Sequence, residues 1–132
     1  KGRVYCVLGD GECNEGSIFE AAIFASKYKL SNLVTFIDSN SLQGIDTTKN
    51  TLNQNLANQF RAFGWEVFEV DGHDLKALDN AIALAKNKSI PSCIIANTTK
   101  GKGISFMENN NLYHYKNPNK EEYMLALSEL NK

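Results

Sequence analysis

The sequence predicts an α/β domain with an open, mainly parallel sheet and helices on both faces. Three observations lead there. Short apolar runs alternate with segments whose apolar residues recur at helical spacing, in the order β-α-β-α-β-α-β. The runs are too apolar to leave one face wet, which is the pattern of strands covered on both sides. Polar, glycine-bearing stretches follow the strand ends, where open parallel sheets bind their ligands.

Arg3 to Leu8 reads as the first strand, and the stretch from Lys1 to Leu8 has the character of a strand and not of a signal peptide. Ser17 to Tyr28 places Ile18, Ala21, Ala22 and Ala25 at helical spacing, and Leu33 to Ile37 is a β-rich run ending at Asp38. After a polar stretch, Leu56, Phe60 and Phe63 share one helical face until Gly64 stops the pattern. Trp65 to Val70 is the third strand. Asp74 is placed to cap a helix bearing Leu75, Leu78, Ile82 and Ala85, and Pro91 precedes the fourth strand, Ser92 to Ala96. Asn97 to Pro118 is polar and punctuated by glycine, and Lys120 to Leu130 resumes helical spacing with Tyr123, Leu127 and Leu130. With no repeat and no linker, residues 1–132 read as a single domain. It opens directly on a strand, so it reads as partial, incomplete at its amino terminus: a fragment or a split subunit.

Composition narrows the function. Lys and Arg number 14 against 15 Asp and Glu, so no strong field exists to hold a polyanion or an anionic membrane, and a nucleic-acid binder is not expected. No apolar run approaches the roughly 20 residues of a membrane span. The default reading is a soluble, cytoplasmic protein. Cys6, Cys13 and Cys93 form no CxxC pair and suggest neither a disulfide framework nor a zinc site. Cys6 and Cys93, inside apolar runs, read as small buried hydrophobes.

Chemistry concentrates in the loops at the carboxyl ends of the strands: Gly9 to Gly16, Asp38 to Asp46, Asp71 to Asp74 and Asn97 to Gly103. Gly9-Asp10-Gly11 closes a strand and leads into a helix, so backbone N–H groups near Gly11 can face a phosphate close to the helix's positive end. Asp10 would repel that phosphate unless a divalent cation bridged them. Magnesium takes about six oxygen ligands, so Asp10 and two phosphate oxygens leave room for a neutral oxygen. Asn40, just past the second strand, can supply it. The 28 residues between Gly11 and Asn40 suffice for one helix and one returning strand, which bring both loops to the same sheet edge.

Gly-Asp-Gly followed about 28 residues later by Asn resembles the thiamine diphosphate motif, and GDGECNEGSIFEAAIFASKYKLSNLVTFIDSNSLQ resembles transketolase. AFGWEVFEVDGHD, NTTKGKGISFMENN and the Tyr113-His114 step resemble the same family. The likeness runs over nearly the whole chain.

The resemblance implies a thiamine-diphosphate-binding fold and transfer of a two-carbon ketol unit between sugar phosphates, with thiamine diphosphate and Mg²⁺ or Ca²⁺ as cofactors. It implies Asp10, Asn40 and the main-chain carbonyl of Leu42 as metal ligands, and Gly11 as a diphosphate contact through its N–H. Lys100 would lie against the cofactor. His114 matches the histidine of the family's Trp-His-Gly segment, near the diphosphate and the reacting carbonyl, where a neutral imidazole assists proton transfer. Glu15 matches an acidic position near the subunit interface, in a network linking two cofactors. This sequence has Tyr113 where tryptophan is common and Tyr115 where glycine is common. His73 reads as structural, in a turn before the helix that Asp74 caps, while Glu12 and Asn14 gain no role from the resemblance.

The family's upstream stretch and its pyrimidine-binding domain, which carries the glutamate that activates the cofactor, are not among these residues. The implied partner is therefore a pyrimidine-binding domain or a carboxyl-terminal transketolase subunit, in a homo- or hetero-oligomer, and the chain is expected to be inactive alone. Three other readings stand beside this one. They are a different thiamine enzyme, of the 2-oxo acid dehydrogenase or deoxyxylulose phosphate synthase type; a non-catalytic remnant; and an α/β domain holding some other phosphate ligand.

Overall fold

A computed structural model describes residues 2–131, and Lys1, included in the predicted first strand, and Lys132 lie outside the described residues. The elements follow the predicted order: β1 (Val4–Gly9), α1 (Gly16–Lys27), β2 (Leu33–Ser39), α2 (Thr48–Thr51), α3 (Leu56–Ala62), β3 (Glu66–Asp71), α4 (Leu75–Ala85), β4 (Ser92–Asn97) and α5 (Lys120–Leu130). The sequence pattern does not show α2, a single turn started by the Thr47 side chain accepting the Asn50 N–H. Four polar residues bury no face, so no periodicity announces them. Single 3₁₀ turns at Glu12–Asn14 and Asn111–His114 are equally silent.

The strands form one sheet in the order β1-β2-β4-β3, and every pairing is parallel. The chain steps in one direction from β1 to β2 and on to β3, then doubles back to place β4 between β2 and β3. Because parallel crossovers keep one hand, that reversal puts α4 on the face opposite α1 and α3. Side chains alternate accordingly. Ile37, Cys93 and Ile95 meet Ala22, Ala25, Ala57 and Phe60 from α1 and α3, while Val34 and Ile94 meet Ala81 and Ala85 of α4. Trp65 closes the first core, stacking edge-on against Phe60 and donating its indole N–H to the Ala22 carbonyl at 2.9 Å.

Helix α5 lies on neither face. It docks on the segment after β4, where Glu129 accepts bonds from the N–H and hydroxyl of Ser105 and Glu122 accepts one from the Tyr113 hydroxyl. The outer side of β1 is open, with Tyr5 and Val7 exposed, as are Ile23 and Phe24 on α1 and Tyr28 just after it. No helix among the described residues is long and apolar enough to cross a membrane.

The strand register brings the carboxyl ends level. Gly9 pairs with Asp38, and Asn97 lies level with both Ser39 and Asp71, so all four strands finish along one edge. The four loops that carry the polar residues leave from there.

Candidate cofactor site

Asp10 is the first residue past β1, and it is buried at 6% exposure. Its N–H donates to the Asp38 carbonyl, extending the β1–β2 pairing by one step, and its Oδ2 accepts the Ser41 N–H at 2.9 Å. One carboxylate thus ties together the loops after β1 and β2. Burial pushes the Asp10 pKa above its ordinary value, and the nearby Asp38 carboxylate pushes the same way; backbone N–H groups of Ser41, Gly11 and Asn40 oppose both. Asp10 forms no ion pair among the described residues. A cation at its free edge would relieve this electrostatic deficit.

Asn40 accepts the Leu42 N–H on Oδ1 at 3.0 Å and donates from Nδ2 to Asp38 at 3.4 Å, so the carboxylate of Asp38 fixes which end of the amide is oxygen. Thr98 in turn donates its hydroxyl to Asp38. The turn needs Ser41 at φ +65°, a left-handed conformation that costs a non-glycine residue about 1 kcal/mol and is held here by the bond to Asp10. The backbone bonds closing the loop use the carbonyls of Ser41 and Asp46, so neither consumes that of Leu42. Asp10, Asn40 and Leu42 all line one cavity, and a carboxylate, an amide oxygen and a main-chain carbonyl from them would make a donor set suited to a hard divalent cation. Among the described residues no cluster of three or more His, Cys, Asp or Glu could hold a metal, and the second carboxylate lining this cavity, that of Glu12, accepts the Gly9 N–H on Oε2.

That cavity, about 330 Å³, is lined by Asp10, Gly11, Asn40, Leu42, Lys100 and His114. The structure therefore brings together six of the seven residues singled out from sequence. Glu15 is the exception: it stands exposed at the start of α1, its side chain makes no capping bond, and it is not among the cavity's lining residues. Gly11 has ordinary right-handed φ and is followed by the 3₁₀ turn at Glu12–Asn14, so α1 begins five residues later than Gly11, at Gly16. Between the loop and the amino end of the long helix stands the 3₁₀ turn, whose Cys13 is fully buried.

Lys100 and His114 arrive from the polar segment after β4. Gly101, at φ +73°, packs so closely on the Met107 backbone that a Cβ would lie 2.6 Å from its carbonyl oxygen, which fixes the bend carrying Lys100. His114 ends a 3₁₀ turn capped by Asn110, with its ring against Tyr115 at 4.7 Å between centroids. Gly44 is the counterpart: the Tyr115 hydroxyl occupies the place of a Cβ there, and His114 Cε1 lies 3.6 Å from it.

Further residues shape this site. His73 does more than fill a turn, since its Nε2 accepts the Thr99 N–H at 2.8 Å and so holds the loop leading to Lys100. Asp38 and Ser41 orient Asn40 and Asp10, and only the polar spacing Asp38-Ser39-Asn40 hints at them.

A family model described as "Transketolase, thiamine diphosphate binding domain" matches residues 1–128. An apulose-4-phosphate transketolase subunit from Actinobacillus succinogenes is 43% identical over 98% of this chain and 48% of its own length. The 6-deoxy-6-sulfo-D-fructose transketolase subunit SqwG of a Clostridium species is 40% identical over the same shares. Transketolase from Campylobacter jejuni superposes over 99% of this chain and 21% of its own, with a TM-score of 0.94 and 31% identity. The chain thus spans about half the length of the curated subunits it matches.

Proposed function

From the premise that the chain belongs to the transketolase family through its thiamine diphosphate binding domain, we propose that it supplies the diphosphate and metal half-site of a two-carbon ketol transferase acting on sugar phosphates. The observation that carries this reading is the single cavity lined by Asp10, Gly11, Asn40, Leu42, Lys100 and His114. Asp10, the amide oxygen of Asn40 and the carbonyl of Leu42 hold Mg²⁺ or Ca²⁺. The Gly11 N–H and the Lys100 ammonium take the diphosphate, whose negative charge would otherwise meet Asp10 unscreened. When bound, thiamine diphosphate supplies a nucleophilic thiazolium carbon and an electron sink. His114, which lines the cavity, would move a proton at the reacting carbonyl. Glu15, exposed and outside the cavity, belongs to the contact with a second subunit.

Within this reading residues 1–132 act as one partial domain of a transferase, and the other half of the cofactor is held by a pyrimidine-binding domain or a carboxyl-terminal subunit. The subunit designations of the matched relatives support a two-part assembly. The isolated chain turns over no substrate. Calorimetric titration of thiamine diphosphate, with and without Mg²⁺, tests the half-site in the protein assembled with its complementary half. Binding should require the metal. Asp10→Ala should weaken it by more than the ~10–100-fold that loss of an outer-shell partner costs. Metal-independent binding that survives Asp10→Ala would count against the assignment.

A further inference from the structure

Asn14 has no task in the half-site, yet it sits between the two loops that form it. Its Oδ1 accepts a hydrogen bond from Gln54 Nε2 at 2.8 Å, and its Nδ2 donates to Gln43 Oε1 at 3.0 Å. Gln43 Oε1 accepts a second bond, from the Thr51 hydroxyl at 3.1 Å. The stem of Gln43 then lies against Gly11, where a Cβ would meet its Cγ at 3.2 Å, and Gln43 lines the same cavity as Asp10 and Asn40. A directed chain of amides therefore runs from the connection between α2 and α3, through the turn after β1, into the loop after β2.

Resting on the half-site reading, we infer that Asn14 is a positioning residue: through Gln43 it fixes the spacing between the Gly9–Gly11 turn and the Asn40–Gly44 loop before metal and diphosphate arrive. The chemistry required at this place is narrow. One side chain must accept from Gln54 and donate to Gln43, which a neutral amide does; a carboxylate can only accept and an apolar side chain does neither. Neutrality matters too, because Asp10, Glu12 and Asp38 already crowd negative charge around a site meant for a diphosphate. The Asp10–Ser41 bond ties the same two loops, but metal binding draws on that carboxylate. The amide chain leaves the cavity's oxygens unused and keeps the spacing whether or not the metal is present. If it is cut, the loops must be ordered at the moment of binding, and the cost appears in cofactor affinity.

The test uses the protein assembled with its complementary half, and compares thiamine diphosphate affinity in saturating Mg²⁺ for wild type, Asn14→Leu, Asn14→Asp, Gln43→Met and the Asn14→Leu/Gln43→Met double variant. Asn14→Asp, which loses only the bond to Gln43, should bind about tenfold more weakly, the scale of one lost hydrogen bond, and Asn14→Leu and Gln43→Met, which each lose a second bond, at least as weakly. The double variant should be weaker by clearly less than the product of the two single losses, because both cut the same Asn14–Gln43 link. With cofactor saturating, kcat and the KM for sugar phosphate of Asn14→Asp, whose side chain does not line the cavity, should stay at wild-type values. Asn14→Asp keeps the side-chain volume and the bond from Gln54, so it isolates the link to Gln43 even if Asn14→Leu fails to fold. Wild-type affinity in Asn14→Asp, or losses that add in the double variant, would overturn this inference and leave the half-site standing. Failure of the wild type to bind would overturn the half-site and this inference with it.

Discussion

Asp10 carries its charge where the fold disfavours it. The carboxylate is buried, its pKa is raised chiefly by that burial, and the charged side chain that adds to the rise is another acid, Asp38. Such a placement weakens the metal-free protein, and under the proposed half-site it would give a cation a strong point of attachment. Because the folded state holds the proton of Asp10 more tightly than the unfolded chain does, ionisation costs stability at neutral pH. Asp10→Asn removes that charge and still offers an oxygen to the Ser41 N–H. The metal-free variant should therefore melt above the wild type at pH 7, while Mg²⁺-dependent cofactor binding is lost. Differential scanning calorimetry without and with cofactor checks both halves, and an apo variant less stable than wild type would sink the account. At this scale the sequence speaks clearly for residues whose chemistry is unusual for a loop, such as Asp10 between glycines. It says little about Ser41 or Gln43, whose importance lies in where their hydrogen bonds go; no residue type advertises a φ of +65° at serine.

Elements are legible in proportion to the apolar surface they bury. The runs of β2 and β4 and the spaced alanines of α1 announce themselves because the core selects for them; α2 and the turn that carries His114 bury no such face and are held by side-chain caps at Thr47 and Asn110. Helix α5 shows both signals. Its start is a capping box, in which Asn119 accepts the Glu122 N–H and Glu122 accepts the Asn119 N–H at 2.8 Å each. Glu122 also takes the Lys116 ammonium and the Tyr113 hydroxyl, and these partners, Lys116 first, lower its pKa to about 2. A lowered carboxylate stabilises the fold at pH above its unfolded value of 4.5, and that contribution is lost as pH falls towards about 2. Acidification through this window should release α5 before the sheet, and hydrogen exchange of the α5 amides would show it. Asn119→Ala, at neutral pH, should cost the helix about 1 kcal/mol; protection in α5 that ignores both changes would refute the role given to the box.

The whole molecule is a sheet finished on one side of its site and open on another. Tyr5 and Val7 on the outer strand, Ile23 and Phe24 on α1 and Tyr28 just after it are exposed apolar side chains. Sedimentation velocity should find this chain self-associating as its concentration rises, and Val7→Lys with Phe24→Lys should restore a single slow species. A monodisperse wild type at high concentration would contradict that. The packing under the loops has a different consequence. Cys13, in the 3₁₀ turn that follows Gly11, is packed into the core at 0% exposure, with its thiol pKa pushed up to about 12 chiefly by burial. It is unreactive as long as the turn stays shut. Once half-buried Cys6 is replaced by serine, modification of Cys13 becomes a clock for the opening of that turn, since reagent reaches the sulfur only in the moments when the loop lifts. Bound metal and cofactor should slow the clock by the factor in which they deplete the open population, which gives a dissociation constant from the rate of a chemical reaction at a residue that never touches the ligand.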